Sequence, residues 1–196
     1  MDKLFSYIEQ ELSYTPYQIQ IIRYVLTCLW MELSKFFILF LLFLFLGKLP
    51  QYFLILFLLL PLRFFSGGLH MHSYLSCLCM TLTMFLLSAY LPDFFIIPGQ
   101  VRIFLQLLCL ILYFLIGPVA SALRPRPGID QIKRCRLITL FFHILFLLIS
   151  FFFAKDYYPS LICVTILLQT MQLIIAKIFL TKGGAACHET KINETA

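Results

Sequence analysis

Charged residues are scarce in this sequence. Of its 196 residues only 12% are charged, while 62% are hydrophobic. An ordinary soluble domain has about 25% charged and about 45–50% apolar residues, so this class is excluded. The sequence therefore predicts one all-α integral membrane domain over residues 1–196, with no separate soluble domain.

Other familiar features are also missing. The acidic N-terminus has no basic region before an apolar core, so no cleavable signal peptide is expected. No internal repeat is found, which disfavours the inverted-repeat architecture of many transporters. The seven cysteines are an odd number and lie mostly inside apolar runs, so reduced thiols are expected. The net charge of +6 comes from basic residues at span ends and in one loop, so no nucleic-acid partner is expected.

The apolar runs predict about six membrane-embedded helices. They lie at 17–46, 51–65, 73–91, 101–120, 137–153 and 158–180. Residues 1–15 place Leu4, Ile8 and Leu12 on one face, which predicts an amphipathic helix in the membrane interface. The 15-residue run 51–65 covers about 22 Å, short of a hydrocarbon core of about 30 Å. In the first run, Glu32 and Lys35 are spaced to pair on one helix face.

Basic residues set the predicted orientation. Residues 121–136 are predicted to form the long polar loop, and residues 181–196 a polar tail. The loop carries one acidic residue, Asp130, and five basic residues: Arg124, Arg126, Lys133, Arg134 and Arg136. An excess of Lys and Arg marks the cytoplasmic side, so both termini and the link at 63–72 are predicted to be cytoplasmic. The five charges would either anchor the loop to anionic lipid or clamp an acidic peptide segment.

The segment between the second and third runs combines a glycine pair with histidines and cysteines. His70 and Cys77 are seven residues apart. On one straight helix they would share a face but lie about 10.5 Å apart along the axis, too far for a hydrogen bond. Gly67-Gly68 therefore predicts a helix break, with a new helix that begins after His70. Cys77 would then lie near a helix N-terminus, which favours a thiolate.

The residues alone leave three interpretations of this segment. A histidine near a cysteine indicates nucleophilic catalysis, because the imidazole can take the thiol proton. His72 and Cys79 repeat the same spacing, so spacing does not choose between the pairs. All four side chains together could bind zinc or copper(I), but helix neighbours two apart point about 200° away from each other. The third interpretation is packing, since cysteine behaves as a small hydrophobic residue.

Arg63, Gly67-Gly68-Leu69-His70 and Cys77 resemble the signature of the accessory gene regulator protein B (AgrB) family. Chain length, hydrophobicity and the basic mid-chain loop are also similar over most of the sequence. The resemblance implies a bacterial cell-membrane cysteine endopeptidase that converts an AgrD-type propeptide into a cyclic quorum-sensing peptide. It selects His70 and Cys77 as the catalytic pair, near the cytoplasmic side.

The resemblance also implies a mechanism without cofactor or metal. Cys77 would cleave the propeptide through a thioester, with His70 as general base and then acid, and a thiol or hydroxyl of the peptide would close the ring. Supporting or substrate-binding roles are expected for seven residues: Arg63, Gly67, Gly68, Arg124, Arg126, Lys133 and Arg134. Six spans make a thin bundle in contact with lipid, so a homodimer is expected.

The alternative function is a small-peptide exporter without proteolytic activity. Such a protein should place polar residues toward a pore on several spans. In this sequence the polar groups are instead expected to concentrate at one end of one helix pair, which favours the endopeptidase.

Overall fold

The computed structural model describes residues 16–67, 73–117, 129–153 and 156–193. These residues form six α-helices and no strand, which confirms the predicted all-α class. The helices are α1 (Pro16–Phe45), α2 (Leu49–Ser66), α3 (Tyr74–Phe94), α4 (Gly99–Ile116), α5 (Ile129–Phe152) and α6 (Tyr157–Asn193). The interfacial helix predicted for residues 1–15 lies outside the described residues.

The chain divides into two units, Met1–Gly47 and Lys48–Ala196. In the first unit, α1 has 30 residues and is about 45 Å long at about 1.5 Å per residue. The Nζ atom of Lys35 lies 2.7 Å from Oε1 of Glu32, so the pair predicted from their spacing is confirmed.

In the second unit, α6 is the central helix of a bundle. It packs against α2, α3, α4 and α5. Over half (56%) of its apolar window is buried, against 17–33% for the other four helices. All five helices of this unit are long and apolar enough to cross a membrane. The number of complete crossings, six in the prediction, stays a prediction.

Two glycines end helices at the same end of the bundle. Gly67 follows α2 with φ +77°, and Gly117 follows α4 with φ +67°. Side chains with a Cβ rarely adopt this conformation, so glycine is required there. The N–H of Gly67 donates to the carbonyl of Arg63 at 3.1 Å. Because α2 stops here and the next helix begins at Tyr74, the break predicted at the glycine pair is confirmed.

Three segment boundaries differ from the prediction. Helix α5 begins at Ile129, so the loop prediction is wrong for residues 129–136. Lys133, Arg134 and Arg136 lie on this helix. Charge alone does not exclude a helix, because Lys and Arg are good helix formers. Helix α2 has 18 residues, about 27 Å, because it gains residues from both flanks of the predicted run. Helix α6 continues to Asn193, through most of the predicted polar tail.

A polar cluster joins helices at the opposite end of the bundle from Gly67. The Lys48 ammonium forms an ion pair with Asp93 and donates to the carbonyl of Ala89 at 3.2 Å. It also lies 3.9 Å from the centroid of the Tyr90 ring. The Tyr157 hydroxyl donates to the same Ala89 carbonyl at 3.1 Å. These contacts tie the starts of α2 and α6 to the end of α3.

Candidate functional site

Cys77 lies in the first turn of α3. Ser73 caps this helix, since its Oγ accepts a hydrogen bond from the Ser76 N–H at 3.2 Å. The Cys77 N–H donates to the Ser73 carbonyl, also at 3.2 Å. A serine at this position satisfies an amide that the helix itself leaves without an acceptor. The thiol is therefore carried by the positively polarised end of a helix, as the sequence predicts.

The structure separates the two cysteines of this segment. Cys77 is 5% exposed and begins a buried stripe that continues with Thr81 and Met84. Cys79 is exposed on another face of the same helix. None of the five cysteines whose side chains are described is in a disulfide. Of the two thiols in the segment, only Cys77 belongs to the packed face of α3.

Arg63 connects the end of α2 to the helix that carries Cys77. Its Nη1 donates to Oγ1 of Thr81 at 3.3 Å. The Thr81 hydroxyl in turn donates to the Cys77 carbonyl at 2.9 Å. The other terminal nitrogen, Nη2, is buried and has no hydrogen-bond partner among the described residues. Arg63 thus links α2 to the part of α3 that carries Cys77.

A narrow cleft without room for a water molecule lies beside Ser66, directly before Gly67, at this end of the bundle. Its walls come from α2, α4 and α5, with Gly117 after α4: Ser66, Tyr113, Gly117, Arg136, Thr139 and Leu140. Arg136 is half-buried, and its guanidinium covers Gly117 so closely that a Cβ there would meet Nη2 at 2.5 Å. Its Nε is buried without a hydrogen-bond partner in the described part of the chain. The Lys177 ammonium donates to the carbonyl of Ile116 at 3.1 Å, so two cations lie at the C-terminus of α4.

The structure covers only some of the predicted site residues. It brings Arg63, Gly67 and the Cys77 turn together. His70, with Gly68, Arg124, Arg126 and the second histidine His72, lies outside the described residues, so its distance to Cys77 stays a prediction. Lys133 and Arg134 are exposed on the first turns of α5. Within the described ranges, no three His, Cys, Asp or Glu side chains are grouped to hold a metal ion.

Sequence reasoning missed several polar residues inside the bundle. They are the buried residues Gln106, Tyr113, His143, Gln169 and Gln172, while the position of Arg136 at the cleft was not predicted either. The expectation that polar groups concentrate at one end of one helix pair is therefore wrong. The signal was available, because a glutamine or histidine inside an apolar run is costly in a membrane unless it faces protein.

Comparison with known proteins identifies the family. The sequence profile described as Accessory gene regulator B matches residues 1–173. A curated protein of Clostridium beijerinckii, described as AgrB-like, is 30% identical over 178 residues. This alignment covers 89% of the chain and 86% of the relative. No solved structure matches the chain.

The profile match covers α1 to α5 and nearly half of the central helix α6, and five described helices can cross a membrane. The Arg63, Gly67 and Cys77 positions lie within the matched region. The chain therefore belongs to the accessory gene regulator B family, and it is a multi-pass membrane protein of the accessory gene regulator quorum-sensing system.

Proposed function

We propose that the chain is a membrane-embedded cysteine endopeptidase that cleaves a quorum-sensing propeptide and supports its cyclisation. The observation that carries the proposal is the placement of Cys77. The thiol belongs to a capped helix start directly after a glycine-terminated helix, within a chain of the accessory gene regulator B family. The family resemblance of the Gly-Gly-x-His segment supplies His70 as its partner.

In the proposed reaction the Cys77 thiolate attacks the carbonyl carbon of the scissile peptide bond. His70 takes the thiol proton and then gives it to the leaving amine, so the C-terminal fragment departs. The N-terminal part of the propeptide stays on Sγ as a thioester. A thiol or hydroxyl of that same peptide then attacks the thioester, its proton returns to the Cys77 sulfur, and the ring closes.

Arg63 has two proposed roles in this reaction. Its bond to Thr81 holds the Cys77 turn relative to α2. Its Nη2, which has no hydrogen-bond partner among the described residues, offers a charged donor to a substrate oxygen, and donors of this kind are most effective where water is excluded. The exposed Lys133 and Arg134, with Arg124 and Arg126, are proposed to attract an acidic segment of the propeptide at the cytoplasmic surface.

The test is co-expression with an AgrD-type propeptide, followed by mass spectrometry of the products. We expect Cys77→Ala and His70→Ala to abolish cleavage. The matched controls are Cys79→Ala and His72→Ala, which repeat the same residue types at the same spacing and should keep it. A Cys77 thioester should also appear as a hydroxylamine-sensitive protein–peptide adduct. Cleavage that survives both Cys77→Ala and His70→Ala would rule out the proposed endopeptidase.

A second candidate function is export of a small peptide without proteolysis. The buried polar residues on α4, α5 and α6 favour it, because a pore needs polar groups on several spans. Proteoliposomes with the purified chain separate the two functions. An exporter would move an intact peptide across the bilayer in the Cys77→Ala variant as fast as in the wild type, and would leave its mass unchanged.

A further inference from the structure

Four buried polar side chains form a cluster inside the bundle, and none of them belongs to the Cys77 turn itself. This interior polar cluster consists of Tyr113 on α4, His143 on α5, and Gln169 and Gln172 on α6. Each is at most 3% exposed. The rings of Tyr113 and His143 lie 4.2 Å apart between their centroids. The Tyr113 hydroxyl is near Gln169, and Gln172 lies one turn further along the same helix.

The cluster does not satisfy its own hydrogen-bonding groups. Among the described residues, the Tyr113 hydroxyl, both ring nitrogens of His143, both amide atoms of Gln169 and Oε1 of Gln172 form no hydrogen bond of ordinary geometry. The Tyr113 hydroxyl faces Ser66, Gln169 and Thr170, and the His143 ring faces the Thr139 backbone, without reaching that geometry. A buried polar group without a partner is strongly unfavourable, whereas an apolar side chain of similar shape would pack there at little cost. Packing therefore does not explain these residues, and ionisable or polar groups at membrane depth are candidates for function.

The cluster is continuous with the candidate site on two sides. Tyr113 lines the narrow cleft between Ser66 and Arg136, directly before the Gly67 break. On the other side, Nε2 of Gln172 lies 3.9 Å from Sδ of Met80. Met80 is three residues after Cys77, on the next turn of α3. A ligand that reached the cluster would thus extend from the cleft to the helix that carries the proposed nucleophile.

The chemistry of the cluster indicates the ligand. Its unpaired atoms include donors and acceptors but no acidic or permanently cationic group. Phosphate and carboxylate ligands require fixed positive charge, which Arg136 supplies only at the mouth of the cleft. A glutamine amide presents one donor group and one acceptor, the same pair that a peptide bond presents. The main chain of an extended peptide also needs partners for each N–H and C=O once it leaves water.

We propose that Gln169, Gln172, His143 and Tyr113 bind the main chain of the substrate peptide next to the Cys77 turn. The proposal rests on the proposed endopeptidase function and extends it to a peptide-binding subsite inside the bundle. Gln169 accepts from a peptide N–H and donates to a peptide carbonyl, and the Tyr113 hydroxyl donates to another carbonyl. The cleft has no room for a water molecule, so the peptide enters by displacing Arg136, whose guanidinium forms its charged wall.

The test measures binding without catalysis. The full chain with Cys77→Ala, in lipid nanodiscs, is titrated with the fluorescently labelled propeptide that the wild-type protein processes. Adding Gln169→Leu should weaken binding about tenfold, since one buried amide–peptide contact is lost. Tyr113→Phe, which removes a single oxygen, should weaken it by a smaller factor. Thr165→Val is the matched control, because Thr165 is buried on α6 and its hydroxyl already donates to the Leu161 carbonyl at 2.7 Å.

A second arm identifies the peptide main chain as the ligand. Propeptides with single amide-to-ester replacements lose one N–H donor each. The ester that replaces the peptide amide facing Gln169 should weaken binding to the parent protein, which carries Cys77→Ala alone. It should not weaken binding to the protein that also carries Gln169→Leu. Thermal unfolding in detergent serves as the folding check, and Gln169→Leu should be as stable as the parent or more stable.

The outcomes are separable from those of the proposed function. Equal affinity of the parent, Gln169→Leu and Tyr113→Phe, with cleavage by the wild type intact, would overturn the subsite and leave the endopeptidase standing. If the wild type does not cleave the propeptide, that result contradicts the proposed His70–Cys77 endopeptidase, not the peptide binding by Gln169 and its neighbours. The subsite would also be overturned if every ester replacement changed the affinity equally with and without Gln169→Leu.

Discussion

Replacement of Gly67 by alanine tests whether the break between α2 and α3 sets the reactive geometry. Gly67 has φ +77° and ψ −159°. This region is essentially restricted to glycine, and a residue with a Cβ held there costs of order 1–3 kcal/mol. Gly67→Ala must therefore either bear that strain or rotate and turn the chain that leads to Cys77. If the reactive geometry loses 1–3 kcal/mol, the cleavage rate falls about 5- to 150-fold.

The matched control is Gly47→Ala. Gly47 also has a positive φ, +68°, and nothing lies within 4 Å of the Cβ that alanine would add. It follows α1, in the other unit of the chain. We therefore expect a small loss of thermal stability in both variants but a loss of cleavage only in Gly67→Ala. The assay is the rate of propeptide cleavage in proteoliposomes, with unfolding followed in detergent. Equal cleavage rates in the two variants would refute the reasoning.

Two further changes separate the site from the scaffold. Thr81→Val removes the acceptor of Arg63 and should lower the cleavage rate about tenfold, because a buried charged donor loses its partner. Thr83→Val, whose hydroxyl bonds only within α3 on an exposed face, should keep the wild-type rate, and equal losses in both variants would contradict this role. Asp93→Asn should lower the unfolding free energy by less than about 1 kcal/mol, because the pair with Lys48 is partly exposed and the ammonium keeps its carbonyl and aromatic partners. Circular dichroism on heating measures this change, and a large loss of stability or of cleavage would show that the pair does more than tie helix ends.

The local features of the site were predictable because each depends on neighbours in sequence. The glycine pair predicts the end of α2, since a positive φ is needed there and glycine supplies it. The start of α3 near Cys77 follows from that break, together with a serine that can cap a helix. The pairing of Glu32 with Lys35 follows from helix geometry alone. In each case the controlling interaction spans four residues or fewer.

The interior of the bundle was not predictable in the same way. Whether Gln169 faces lipid or protein depends on which helices surround α6, and that is fixed by contacts between residues far apart in the chain. The segment 121–136 illustrates a different limit. Its charges predict a loop from composition, but Lys133 and Arg134 are compatible with a helix that starts at Ile129 and turns them outward. The composition of the sequence is enough to predict a membrane protein. Which polar residues contact one another depends on how the helices pack.

The proposed reaction requires that a peptide reach the thioester while water is kept away from it. The burial of Cys77 and the polar interior of the bundle together meet this requirement. Exchange of one thioester for another changes little free energy, so cyclisation succeeds only if the internal nucleophile of the peptide reaches the thioester before water does. A thiol that is 5% exposed at the packed face of α3 is protected from water, but a peptide that reaches it must leave its own hydration behind. A purely apolar interior would exclude the peptide together with the water, because every unpaired peptide group costs free energy there. Gln169 and its neighbours can replace the hydration of the peptide while keeping bulk water out, so under this mechanism Gln169→Leu should also raise the ratio of hydrolysed to cyclic product.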